Sequence, residues 1–140
     1  MRLDTILRVT AKLFIPFIFV FALYVQLHGD FGPGGGFQAG VIIAAGVVLY
    51  AIIFGLSAAH RAVPIRLVEF LVPLGVLIFA GVGVWSLFTG NNYLDYNNLS
   101  HGDPIHGQHW GIFLVEIGVL ITVSSTMIAI FYAFAGRGRQ

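Results

Sequence analysis

The sequence predicts an all-α integral membrane protein with four transmembrane helices. It places both termini in the cytoplasm and a Gly-rich turn between helices 1 and 2 on the outer side. Three observations predict this. The 140 residues are 58% hydrophobic and 9% charged, with a mean hydropathy of +0.91. A soluble domain carries about 25% charged residues, so lipid must be the solvent for this chain. The uncharged stretches number four, each near the ~20 residues that cross a bilayer. All seven Lys and Arg residues fall in segments that four spans place on one side, which the positive-inside rule makes cytoplasmic.

Span 1 covers 8–28. Its apolar part runs from Leu13 to Leu27, with an amphipathic turn or two before it. Arg2, Arg8 and Lys12 precede the apolar run as they would in a signal peptide. No small-x-small cleavage site follows Leu27 before the charged turn, so the segment is expected to stay as a span. Span 2 covers 36–59, span 3 covers 67–89 with Glu69 near its start, and span 4 covers 110–135 with Glu116 inside it. Arg61 and Arg66 lie between spans 2 and 3, and Arg137 and Arg139 follow span 4. Tyr93 and Trp110 fall near the interfaces, where amphipathic aromatics collect. The four spans form a single domain, 1–140, without a sequence repeat between the halves.

Span 2 carries small residues at Gly36, Gly40, Ala44, Ala51, Gly55 and Ala59; span 4 does so at Gly107, Gly111, Gly118, Thr122, Ser125 and Ala129. Steps of four and seven keep such residues near one helix face. Small residues let helix backbones approach in lipid, either within one protein or between subunits. Glu116 is two positions before Gly118, about 160° around the helix. Two faces of span 4 are therefore expected to avoid lipid, which favours partner subunits.

Carboxylates inside a bilayer are costly, by about 2.5–3.5 kcal/mol for Asp at a helix centre. Glu116 is six residues into span 4, roughly 9 Å below its outer end, with no Lys or Arg near it in sequence. It is the leading candidate for an ion or proton route. His109, seven residues earlier on the same face, extends that polar path outward, and Asp30 lies at its outer mouth. Glu69 follows Arg66 by three residues, a spacing that predicts an ion pair at the cytoplasmic interface. Pro73 adds interest there, because it cannot donate to the Glu69 carbonyl.

The outer loop contains His101, Asp103, His106 and His109. The residue types suit a divalent metal, but their spacing matches no motif in which helix geometry would gather the ligands, so no metal and no cofactor is assigned. Histidine as a residue type changes charge near neutrality, so these residues together with His28 would suit a sensor of external pH. Cys is absent, which excludes a disulfide framework and thiolate chemistry. The net charge of +1 offers nothing to nucleic acid. No nucleophile–base pair lies at headgroup level, so an enzyme acting on lipid is disfavoured.

The most distinctive segment is His28-Gly29-Asp30-Phe31-Gly32-Pro33-Gly34-Gly35-Gly36-Phe37-Gln38-Ala39-Gly40. Glycine at this density costs backbone entropy, and a chain accepts that where it must turn tightly or approach a neighbour closely. No Gly-Lys-Ser/Thr follows, so this is not a phosphate loop. The run Pro33-Gly34-Gly35-Gly36-Phe37, preceded by His28-Gly29 and leading through Ala39 and Gly40 into a span, resembles the signature of MnhB-type subunits of Mrp-type multisubunit sodium/proton antiporters. The resemblance extends over the whole chain in length, four spans and a polar outer loop. The family pattern usually reads Gly-His before the motif and Gly-Gly after it; here Asp30 follows Gly29, which changes the charge at the outer mouth, and Ala39 precedes Gly40.

The resemblance implies an accessory subunit, needed for assembly and lining part of an ion route. Its expected partners are large subunits similar to the proton-pumping subunits of respiratory complex I, with sodium ions and protons as the traffic. Related subunits occur in hydrogenase-type complexes. The residues agree on the main point: one well-buried acid and no inverted repeat do not make a complete antiporter. The competing reading is a self-sufficient homo-oligomeric cation channel with Glu116 or Asp30 forming an acidic ring.

Overall fold

A computed structural model describes residues 2–29, 32–96 and 104–137. Among them are five helices: α1 (Arg2–Leu27), α2 (Gly36–Phe54), α3 (Leu56–Ala62), α4 (Ile65–Phe88) and α5 (Pro104–Gly136). Four are long and apolar enough to cross a membrane: Asp4–His28, Gly36–Phe54, Ile65–Phe88 and Gly107–Gly136.

The stretch expected as span 2 divides at Gly55, whose φ of +92° and ψ of 153° end α2. That backbone region is open essentially to glycine alone. Residues 56–62 then form the short helix α3, which turns the chain towards α4. Span 4 is longer than expected, because α5 already begins at Pro104.

The long helices pack in the order α1, α2, α5, α4. The chain thus forms a row, not a closed ring, with α1 and α4 at its two ends. α1 buries one stripe, Ala11, Ile15, Ala22 and Gln26, and leaves Leu13, Phe14, Phe17, Phe21 and Tyr24 exposed. Spacings of four and seven put the buried set on one face. α2, in the interior of the row, is served on two sides: Gly46 meets Phe19 of α1, while Gly36 and Gly40 meet α5. α5 is also served on two sides, with Gly118 against Gly75 of α4.

This accounts for the small residues of span 4. Both faces expected to avoid lipid are covered inside the chain: the Gly118–Thr122 face by α4 and the Glu116 face by α2 and the glycine turn. Two lipid-avoiding faces on α5 therefore do not by themselves call for a partner subunit. The main apolar core lies towards the basic end of the row. There Ala44, Val47 and Ala51 of α2, Ala59 of α3, Val68 of α4, and Ile128 and Tyr132 of α5 meet. The Tyr132 hydroxyl donates to the Val63 carbonyl at 3.1 Å, which ties the α3–α4 junction to α5, and the His60 ring meets the Tyr132 ring edge-on.

Candidate functional site

The glycine turn is built to fold back on α1 and close over α5. Gly35 N–H donates to the carbonyl of Val25 at 3.1 Å, and Gly32 N–H to that of His28 at 3.1 Å. Gly34 sits so tightly that a Cβ there would stand 2.6 Å from the Val25 oxygen. Gly35 has φ +119° and ψ 178°, again a conformation essentially reserved for glycine. It leads directly into α2, whose first residue, Gly36, lies on the backbone of Glu116: a Cβ at Gly36 would overlap the Glu116 main-chain oxygen. One turn on, Gly40 rests on Leu120 and Ser124. Gly36 and Gly40 thus form a seam against Glu116, Leu120 and Ser124, each set advancing by one helical turn.

What this turn encloses is the carboxylate of Glu116. A Cβ on Gly29 would lie 2.9 and 3.0 Å from its two oxygens, and one on Gly35 would lie 2.9 Å from Oε1. The side-chain nitrogen of Gln26 donates to Glu116 Oε2 at 3.3 Å. Gln26 is only 5% exposed, and its oxygen Oε1 is buried with no hydrogen-bond partner. Glu116 is half-buried.

The depth of Glu116 differs from expectation. It is level with the start of α2 and the end of α1, while α5 continues another twelve residues back to Pro104, about 18 Å at 1.5 Å per residue. The carboxylate is therefore sheltered by a polar main-chain turn and an amide, not by hydrocarbon alone. This is how a membrane helix can carry an acid at reduced cost.

The other sequence-predicted residues are distributed around this centre. His28 is half-buried and stacks on Tyr24 with ring centroids 5.3 Å apart. Pro33 is exposed, and Phe37 is 64% exposed. The two help line an open groove of about 450 Å³ with Phe21, Val25, Gln38 and Val41. His109 is exposed on α5, two turns from Glu116. Asp30, His101 and Asp103, and the side chain of His106, lie outside the described residues. Among the described residues no group of three or more His, Cys, Asp and Glu could hold a metal.

Glu69 does not join the site. It is exposed on the first turns of α4, at the opposite end of the row. The expected Arg66–Glu69 ion pair does not form among the described residues: both side chains are exposed, and neither has a bonding partner. Water or headgroups at this end can solvate both charges, and an exposed i,i+3 pair gains little. The sequence does not single out Gln26: it continues the Ala11, Ile15, Ala22 stripe, which only the packing of α1 identifies as the buried one.

A second pair of close approaches fixes the loop after α4. The ring of Tyr93 lies on Gly83 and the ring of Tyr96 on Gly111, each filling the space a Cβ would take. Burial, with a smaller contribution from neighbouring Tyr93, raises the Tyr96 pKa above 10.0.

Comparison with known proteins matches this chain along nearly its whole length. A protein of Staphylococcus haemolyticus, provisionally named antiporter subunit mnhB2, is 27% identical over 135 residues, 95% of each chain. The protein of the same provisional name from Staphylococcus aureus (strain Newman) is 28% identical over 135 residues, again 95% of each chain. Residues 6–129 match the family described as a domain related to the MnhB subunit of Na+/H+ antiporter. Four apolar helices and this match make it a multi-pass protein of the cell membrane, and the chain belongs to the MnhB-related family.

Proposed function

We propose that this chain is an accessory subunit of a multisubunit Na+/H+ antiporter, a transporter component and not an enzyme. The observation that carries the reading is the open row α1, α2, α5, α4, in which one carboxylate, Glu116, is held between the glycine turn and α5. A row has two open faces. Ions crossing the membrane beside Glu116 need a second wall, and large antiporter subunits of the kind found in respiratory complex I would supply it. Family membership supports the same assignment.

In this reading both termini are cytoplasmic, since Arg8, Lys12, Arg61, Arg66 and Arg137 share one end of the row. The glycine turn and Glu116 then face the outer side. Exposed Trp85, Phe88 and Trp110 at the turn end suit the outer interface. Glu116 and its surroundings are the part of the ion route this subunit contributes, with His109 and Asp30 towards the outside.

The test is purification of the tagged protein from its own membranes in mild detergent, with native mass and subunit content measured. Large multi-span subunits are expected to co-purify, and deletion of this chain is expected to abolish Na+-driven proton exchange in everted vesicles. A homo-oligomer free of other subunits would overturn the reading and favour a self-sufficient channel. Glu116→Gln is expected to impair exchange while the complex still assembles; unchanged exchange would remove Glu116 from the route.

A further inference from the structure

We propose that the corner where α2 breaks into α3 binds the headgroup of an anionic phospholipid, with its phosphate held between Lys12 of α1 and Arg61 of α3. The site is independent of the subunit assignment.

The break sets the place. α2 runs Gly36–Phe54, 19 residues, about 28 Å at 1.5 Å per residue. That nearly matches the ~30 Å hydrocarbon core of a bilayer. Gly55, where α2 ends, therefore stands at the hydrocarbon edge, the level of headgroup phosphates. The corner is also open: nothing lies within 4 Å of where a Cβ on Gly55 would stand.

Two separate elements carry a cation to this corner. Lys12 Nζ lies 6.0 Å from the centre of the Phe54 ring, on the residue just before Gly55. Arg61 folds back along α3, where its Nε donates to the Ser57 carbonyl at 3.4 Å, two residues after Gly55. That bond uses one of the five N–H donors of a guanidinium. Lys12 and Arg61 are both exposed, and so is Arg8, one turn before Lys12 on α1. In sequence, all seven Lys and Arg flank this end of the spans, and the acids there are Asp4 and Glu69. The end as a whole is cationic, and basic groups at a membrane surface attract anionic lipids.

The surface below the cations selects a lipid over other anions. The Phe54 ring lies 4.8 Å from that of Tyr50, one turn deeper along α2. Pro16, one turn deeper than Lys12 along α1, is exposed. A cationic rim above an aromatic and apolar flank matches a phosphate with an acyl chain beneath it. Lysine and arginine suit such an edge, because their stems lie on apolar surface while their charged heads stay in the polar layer. A free phosphate ion would use the rim alone, and an acidic protein segment has no use for the flank. A zwitterionic lipid brings its own ammonium, which the two cations repel.

The experiment follows backbone hydrogen exchange in the 54–62 segment of the purified protein, together with any subunits that accompany it, in detergent micelles doped with lipid. Phosphatidylglycerol replaces phosphatidylcholine at constant total lipid. Exchange is expected to slow with phosphatidylglycerol and to saturate, and inorganic phosphate at the same concentration is expected to change nothing. Lys12→Gln and Arg61→Gln are each expected to raise the half-saturating fraction about fivefold. Arg137→Gln, which removes the same charge from the same end on α5, is expected to shift it less than twofold. Equal slowing by phosphatidylcholine would overturn the proposal; so would equal slowing by inorganic phosphate, which would make the corner a free-anion site. A shift in Arg137→Gln as large as in Arg61→Gln would also overturn it, leaving only the diffuse attraction of a basic end. If accompanying subunits already protect the segment and lipid changes nothing, the corner is a protein contact and the proposal falls. The wild-type lipid comparison decides even if a variant fails to assemble, and none of these outcomes alters the subunit reading.

Discussion

Gly35 lies directly on the carboxylate of Glu116, eighty-one residues later in the chain, and a single added methyl would stand 2.9 Å from Oε1. The turn and the acid are therefore one unit. Changes to the turn should be read as changes to the environment of Glu116.

Two kinds of glycine constraint can be separated by experiment. At Gly55 nothing lies within 4 Å of where a Cβ would stand, yet φ is +92°. Gly55→Ala should therefore cost only torsional strain, about 1–3 kcal/mol. At Gly36 the helix begins on the Glu116 main chain, and Gly36→Ala must push α2 from α5. Thermal unfolding in detergent should show both variants destabilised, with the Glu116 site disturbed only by Gly36→Ala. Gly81→Ala, in open space on α4, should be neutral or stabilising by up to ~1 kcal/mol.

The α4–α5 contact makes a similar forecast. A Cβ on Gly75 would overlap Thr122 Oγ1 and stand 2.5 Å from the Gly118 carbonyl oxygen. Because a carbonyl in a helix has little room to yield, Gly75→Ala should destabilise by about 1–3 kcal/mol, as overpacking does. Thermal midpoints of Gly75→Ala and Gly81→Ala, measured side by side, check this.

Tyr132→Phe removes the donor to the Val63 carbonyl and keeps the ring packing. The expected loss is about 0.5–1.5 kcal/mol. It should appear as easier proteolysis near residues 60–66, where the bond ties the junction to α5.

The loop gives a pH dependence. Burial and Tyr93 favour the neutral form of Tyr96, so its folded pKa lies above the unfolded value of 10.0. Its contribution to stability is complete below pH 10 and is lost as pH rises through the folded value. Tyrosinate absorbance of wild type minus Tyr96→Phe should titrate above pH 10; a difference titrating at or below 10 would contradict the burial on Gly111.

The sequence was most legible where a single property sufficed. Uncharged stretches located the four spanning helices, and the glycine run marked a place where two main chains meet directly. Gly55 fits the small-residue face by spacing, four residues after Ala51 and four before Ala59; only its positive φ reveals a break. Glu116 was legible as a costly acid, but Gln26 was not, since a polar residue near a span end is ordinary unless its helix face is known. The seating of Tyr93 and Tyr96 on Gly83 and Gly111 joins residues across separate elements, and no local periodicity encodes it.

The chain order has a consequence for biosynthesis. Gln26 and the glycine turn leave the ribosome some eighty residues before Glu116 does. The receptor for the acid is thus complete in the membrane before the acid exists, and α5 enters last, between two helices already in place. A nascent chain stopped before α5 would hold an empty turn with its glycines uncovered, a state that quality-control proteases could recognise as unfinished.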